Sequence, residues 1–137
     1  MAKTYTAPFA QTINNSNCVL TTAGAVNSDT PTNTVLLYTA GAEGSIITTI
    51  EAMPRATVTA TAIYLFSSTD GGTTQRLIDC VLMVAYTFAL TTATPSTIFT
   101  NYTEDYPLRL KAGERLYVST GVSLASGIVV EARGMDY

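Results

Sequence analysis

The sequence contains no histidine and no tryptophan, only two cysteines, and few ionised side chains. Without histidine, the usual serine and cysteine triads, most zinc sites and the commonest general base are excluded together. A lysine-assisted nucleophile needs its amine in an apolar setting. Lys3 falls in a polar N-terminal stretch and Lys111 at an outward strand position, so neither is placed for that chemistry. Without tryptophan there is no indole platform for a sugar ring, and the tyrosines are dispersed. No catalytic residue, cofactor or metal is expected.

Charged residues make up 12% of the chain, about half the ordinary share. The seven basic residues are scattered singly and the net charge is -3, which argues against nucleic acid as a partner. Arg109, Lys111 and Arg115 form the only basic cluster; they straddle a turn and are expected to solvate a strand edge. No apolar run is long enough to span a bilayer, and Met1–Tyr5 lacks the apolar stretch of a signal peptide, so the expectation is a chain kept in a cytoplasm, away from membranes. Free thiols are the expected state of Cys18 and Cys80, a bridge between them being the alternative that sequence leaves open, with Cys80 packed as a small apolar residue inside the run Leu77–Val84.

What the sequence has in abundance is alternation. From Thr57 to Phe66, small, β-branched and aromatic residues keep a two-residue beat, with Val58, Ala60, Ala62, Tyr64 and Phe66 on one side and Thr57, Thr59, Thr61, Ile63 and Leu65 on the other. Asp70-Gly71-Gly72 follows as a turn with positive φ, and the chain returns from Thr73 as the second strand of a hairpin. Val35–Thr39 and Ser45–Ala52 read as strands, the latter closed by Pro54. Leu77–Ala85 fits a helix almost as well as a strand. Tyr86–Thr92 and Thr97–Tyr102 read as short strands. Around the turn at Ala112-Gly113-Glu114, Leu108, Leu110, Leu116, Val118 and Thr120 form an inward row. In the last strand Ile128, Val130 and Ala132 oppose Val129, Glu131 and Arg133.

About eight strands at short, regular intervals specify an all-β fold, and an antiparallel jelly-roll-like β-sandwich is the expected form. The expected domain spans residues 18–137 and begins with a strand at Cys18–Thr21. Residues 1–17, with Tyr5, Phe9 and Ile13 as isolated bulky anchors, read as an N-terminal arm. Two small motifs carry no chemistry of their own. Glu104 and Asp105 are neighbours whose side chains point apart and lack a third acid at calcium-loop spacing. Asp70-Gly71-Gly72 lacks the lysine and helix of a phosphate loop.

Leu36-Leu37-Tyr38-Thr39-Ala40-Gly41, Pro54-Arg55-Ala56-Thr57-Val58-Thr59, Asp70-Gly71-Gly72-Thr73, and Pro107-Leu108-Arg109-Leu110 through Ala112-Gly113-Glu114-Arg115-Leu116-Tyr117-Val118 carry a likeness. In texture and motif order, over most of the chain after Thr34, the sequence resembles small virion proteins of tailed bacteriophages that decorate or cement the capsid or form head spikes and fibres. That resemblance implies a β-sandwich, homotrimers, contact with the major capsid protein, and a place on the capsid exterior. The expected contact residues are Tyr5, Phe9 and Ile13 of the arm and the low-charge row Thr57, Thr59 and Thr61. The alternative expectation is a receptor-binding or fibre-tip module whose loops Gly24–Asn33 and Asn101–Tyr106 meet host glycans.

Overall fold

The computed structural model describes residue 10 and residues 12–137. Nine strands form two antiparallel sheets: β1 (Thr12–Leu20), β2 (Val35–Thr39), β3 (Ser45–Pro54), β4 (Thr61–Ser68), β5 (Arg76–Met83), β6 (Thr97–Ile98), β7 (Leu108–Leu110), β8 (Arg115–Thr120) and β9 (Ile128–Asp136). The first sheet runs β1-β9-β3, with β6 and β7 sharing the far edge of β3; the second runs β2-β8-β4-β5. Because β6 pairs with Glu51 and Ala52 while β7 pairs with Ser45 to Ile47, the two short strands occupy one strand position in succession. The chain crosses between sheets at most connections; only the β4–β5 hairpin and the β6–β7 connection stay within one. That order is a jelly roll.

The core is the set of inward rows. Leu20 of β1, Ile50 and Ala52 of β3, Ile63 and Leu65 of β4, Leu116 and Val118 of β8, and Ile128, Val130 and Ala132 of β9 are all fully buried in one cluster. Each Val, Leu or Ile among them contributes about 2 kcal/mol by leaving water. The inward rows expected for β8 and β9 are those observed. The segment from Leu77 onward, ambiguous in sequence, is the strand β5, because β4 supplies an antiparallel partner from Thr61 to Ser67.

Irregularities in the pleat account for the differences from expectation. β3 carries a register shift between Ile47 and Thr49, so Ser45 and Ile47 are buried before it and Ile50 and Ala52 after it, against an unbroken alternation. β4 begins at Thr61 and not at Thr57; Val58 is bridged to Tyr86 and joins the core from the opposite phase to Ile63. Tyr86–Thr92 is a loop, and only Thr97–Ile98 of the expected strand Thr97–Tyr102 is paired. β1 starts at Thr12, six residues before the expected domain boundary, because it pairs with β9 along its whole length from Thr12–Asp136 to Leu20–Ile128. The Asn-rich stretch expected to close an arm is therefore a sheet edge. Residues 1–9 and 11 lie outside the described residues, and with them Tyr5 and Phe9.

The two sheets differ in what lies on their outer faces. The β1–β2 connection crosses the outside of the second sheet as a strap. It is fastened at one side where Gly24 donates its N–H to the Thr120 carbonyl (3.1 Å), and at the other where Gln75 donates to the Asp29 carbonyl (2.9 Å) and Arg76 pairs with the Asp29 carboxylate (2.9 Å). Gly24 has no room for a side chain, since a Cβ there falls 2.6 Å from the buried Ser119 hydroxyl. Phe66 points outward from β4, opposite Tyr117, yet is fully buried and stands outside the central cluster. The strap crosses this same side of the sheet. At the hairpin below, Gly71 and Gly72 have φ of 78° and 100°, values that side-chain-bearing residues rarely adopt. The Asp70 carboxylate accepts from the Thr74 amide and the Ser68 hydroxyl, which hold its pKa below the ordinary value.

If the strap seals a second small core, Phe66→Ala should destabilise the fold by about 3 kcal/mol, although Phe66 touches none of the central cluster. Urea unfolding followed by circular dichroism measures this, and a change below 1 kcal/mol (~one third of that) rules the small core out.

Candidate docking surfaces

The outer face of the first sheet is built by the alternate residues of β1, β9 and β3. Cross-strand register places Ile13, Met135 and Ile46 in one row, continued by Arg109 on β7. Asn15, Arg133 and Thr49 form the next, then Asn17, Glu131, Glu51 and Ile98. Val19, Val129 and Met53 close the face at the other end. Apolar rows thus flank a polar centre. Ile13 is 72% exposed, and Val19, Met53 and Ile98 are exposed as well.

The centre of this face would repel itself without one cation. Glu51 and Glu131 stand directly opposite on neighbouring strands, an arrangement that is unfavourable for like charges. Arg133 reaches both, at 3.5 Å to Glu51 and 3.3 Å to Glu131, and the Ser96 hydroxyl donates to the second oxygen of Glu51 at 3.0 Å. These carboxylates, first through the hydrogen bond that Glu131 accepts from Arg133, hold the Arg133 guanidinium above its ordinary pKa.

The end of the face that bears Ile13 is fixed from behind. On the inward side of β9, the Asp136 carboxylate accepts from Asn14 Nδ2 of β1 (3.0 Å) and from the Ser45 hydroxyl of β3. Gly41 donates its N–H to the same Ser45 oxygen at 3.0 Å. Burial works to raise the Asp136 pKa, but the donors from Ser45, Asn14 and the Gly41 amide outweigh it and hold the carboxyl below its ordinary value. The Tyr38 hydroxyl, buried nearby under Gly134, is pushed up by burial.

A second exposed surface lies at the end of the sandwich where β3, β4 and β5 meet their loops. The connection from Val84 to Ser96 is stapled to the β3–β4 connection by a reciprocal pair of backbone bonds between Val58 and Tyr86, each 2.9 Å, and by the Phe88 amide donating to the Thr57 hydroxyl at 3.1 Å. Thr57 and Thr59 belong to this surface and are exposed. Thr61 does not share it. It is buried on the core side of β4, 3.2 Å from the Thr120 hydroxyl, and accepts the Gly121 amide at 3.1 Å. The expected threonine row therefore divides at the kink before β4, and Ile13 lies on a different surface from both parts. Met53, Val129, Met135 and Ile46 went unmarked as contact residues, although their alternation with buried neighbours was the signal that places them outward.

Burial pushes the Cys18 thiol up to about 12; burial and the neighbouring Asp79 carboxylate do the same to the Tyr102 hydroxyl, also to about 12. Both cysteines are free, as expected, but Cys80 is exposed and not packed, because Val81 and Met83 take the inward positions beside it. Among the described residues no group of three or more His, Cys, Asp or Glu side chains is arranged to hold a metal ion. Asn101, Tyr102, Asp105, Tyr106 and Arg109 line an open hollow in which Tyr106 is 77% exposed.

No protein-family model and no curated protein matches the chain. A solved structure of Eiger TNF from S. frugiperda is similar, at 11% identity and a TM-score of 0.42, over 93% of this chain and 96% of that one. The jelly-roll order stands on the strand pairing itself.

The Asp136 cluster gives a stability term with a defined sign. Its folded pKa lies below the ordinary 3.8, so its contribution is complete above that value and is lost as pH falls through the folded one. Asp136→Asn should cost about 1 kcal/mol at neutral pH, discounted for its partial exposure. Urea midpoints of parent and variant should converge as pH is lowered below about 4; a constant difference across that range counts against the assignment.

Proposed function

We propose that this chain is a non-enzymatic structural protein of a tailed-phage virion: a capsid decoration or cement protein that binds the major capsid protein lattice from the capsid exterior and acts as a homotrimer. The observation that carries the reading is the outer face of the first sheet, a pleated surface with exposed apolar rows at both ends and a self-neutralising Glu51–Arg133–Glu131 centre. Such a face is inexpensive to desolvate against protein and offers little to a small substrate. In this reading it joins the three copies, with Ile13 at its rim and Tyr5 and Phe9 as the anchors of the segment that leads into β1. The sequence resemblance to small phage virion proteins supplies the partner. The mechanism is thermodynamic. A protein that binds only the assembled lattice stabilises that lattice by mass action, and a trimer that engages several capsomers at once gains avidity without new contacts.

A second reading, a receptor-binding module for host glycans, draws on the hollow at Asn101–Arg109, where exposed Tyr106 stands beside an amide and a carboxylate. A glycan array and a host-adsorption competition separate it from the first, since a cement protein scores in neither.

The first reading is tested with purified protein and expanded empty capsids. Parent protein should scatter light as a trimer, occupy the capsids and raise their melting temperature. Val129→Asp, placed on the outer face, should keep the β-sheet spectrum of the parent while the trimer mass falls to that of the monomer. Absence of capsid binding by the parent removes the cement reading, and a trimer undisturbed in the variant removes this face as the contact between copies.

A further inference from the structure

We infer that the Val84–Ser96 loop is a preorganised apolar plug, with Leu90 as its tip, that seats in an uncharged pocket repeated on the capsid lattice. Leu90 is 94% exposed, the most exposed large apolar side chain among the described residues. A leucine that bare on a mobile loop carries little meaning, but this loop is held. Its base is fastened through the Val58–Tyr86 backbone pair and the Thr57–Phe88 bond. Its turn is closed from within: the Tyr86 hydroxyl lies 3.0 Å from the Thr92 hydroxyl and donates to the Ala93 carbonyl at 3.4 Å, and the Thr92 amide donates to the Ala89 carbonyl at 3.4 Å. The conformational entropy of presenting Leu90 is thereby lost on folding and not on binding.

The chemistry of the surroundings selects the partner. No side chain from Cys80 to Thr103 is ionised, and Glu51, which accepts from Ser96 at the base of the loop, is already paired with Arg133. The tip itself therefore presents no charge and its complement is uncharged; a charged pocket would lose its hydration with no opposite charge to meet. A membrane surface is a poor match, because the loop offers no Lys, Arg or Trp and the chain carries a net charge of -3. A contact between loop tips of two copies is too small to hold them, since stable interfaces bury upward of about 1,200 Å². Burial of one leucine is worth about a thirtyfold gain per contact. That gain matters only when several contacts are made together, which a trimer on a lattice of identical pockets provides. The inference rests on the cement reading for its partner and adds the part of the chain that faces it.

The test measures binding of parent, Leu90→Asn and Leu90→Met to expanded empty capsids, with phosphatidylcholine vesicles as a second surface. Leu90 packs against little of its own fold, so all three proteins should share one unfolding midpoint. Parent and Leu90→Met should bind capsids alike, Leu90→Asn at least tenfold more weakly, and none should bind vesicles. Parent binding with Leu90→Asn unchanged overturns the plug and leaves the cement reading standing. Parent protein that ignores capsids overturns both, and Leu90-dependent binding to vesicles replaces the protein pocket with lipid.

Discussion

The molecule depends on the packing of two central strands, β8 and β9, each flanked by strands on both sides. Their inward residues, Leu116 and Val118 from one and Ile128, Val130 and Ala132 from the other, are fully buried in the same cluster. Since the pleat has a period of two residues, this burial assigns every intervening residue of both strands to an outer face. A one-residue slip would place Val129, Glu131 and Arg133 in the core, two of them as charges with no water. The position of the outer surfaces is thus a consequence of the core.

Those outer surfaces are treated differently. Outside the second sheet, the strap from Gly24 to Asn33 lies against Ser119 and is tied through Gly24 to Thr120 and through Asp29 to Gln75 and Arg76. Outside the first sheet, Ile13, Val19 and Met53 stand exposed at the margins of a compensated charge ladder. The third surface, the stapled loop that carries Leu90, is displaced from the sheet face and smaller. The proposed functions are divided accordingly: the broad face for assembly, the narrow tip for docking.

Each departure from simple alternation arises where backbone pairing is interrupted. The register shift in β3 exchanges the phase of Ile50 and Ala52 relative to Ser45 and Ile47. The kink before β4 admits Val58 to the core and sends Thr57 and Thr59 to the loop surface while Thr61 turns inward to Thr120. Cys80, in an apolar stretch that reads as buried, is exposed because Val81 and Met83 take the inward positions of β5. None of these has a local residue signature, since Val, Ile and Thr suit either side of a strand.

The amino-acid sequence by itself determined the all-β class, the turn at Asp70-Gly71-Gly72, the strand β2, the strands β8 and β9 with their inward rows, and the scarcity of ionised groups. All of these follow from side-chain type and two-residue spacing, which act over a few neighbours. Only the tertiary structure decided that Thr12–Asn17 is a sheet edge and not an arm, that Leu77 onward is a strand, and that Thr61 parts company with Thr57 and Thr59. It also decided which sheet face is covered and that Leu90 is held at a fixed tip. Those outcomes rest on partners far away in the chain, β9 for β1, β4 for β5, Thr120 for Thr61 and Val58 for Tyr86, and a hydrogen bond or a packed face exists only once both partners have been brought together.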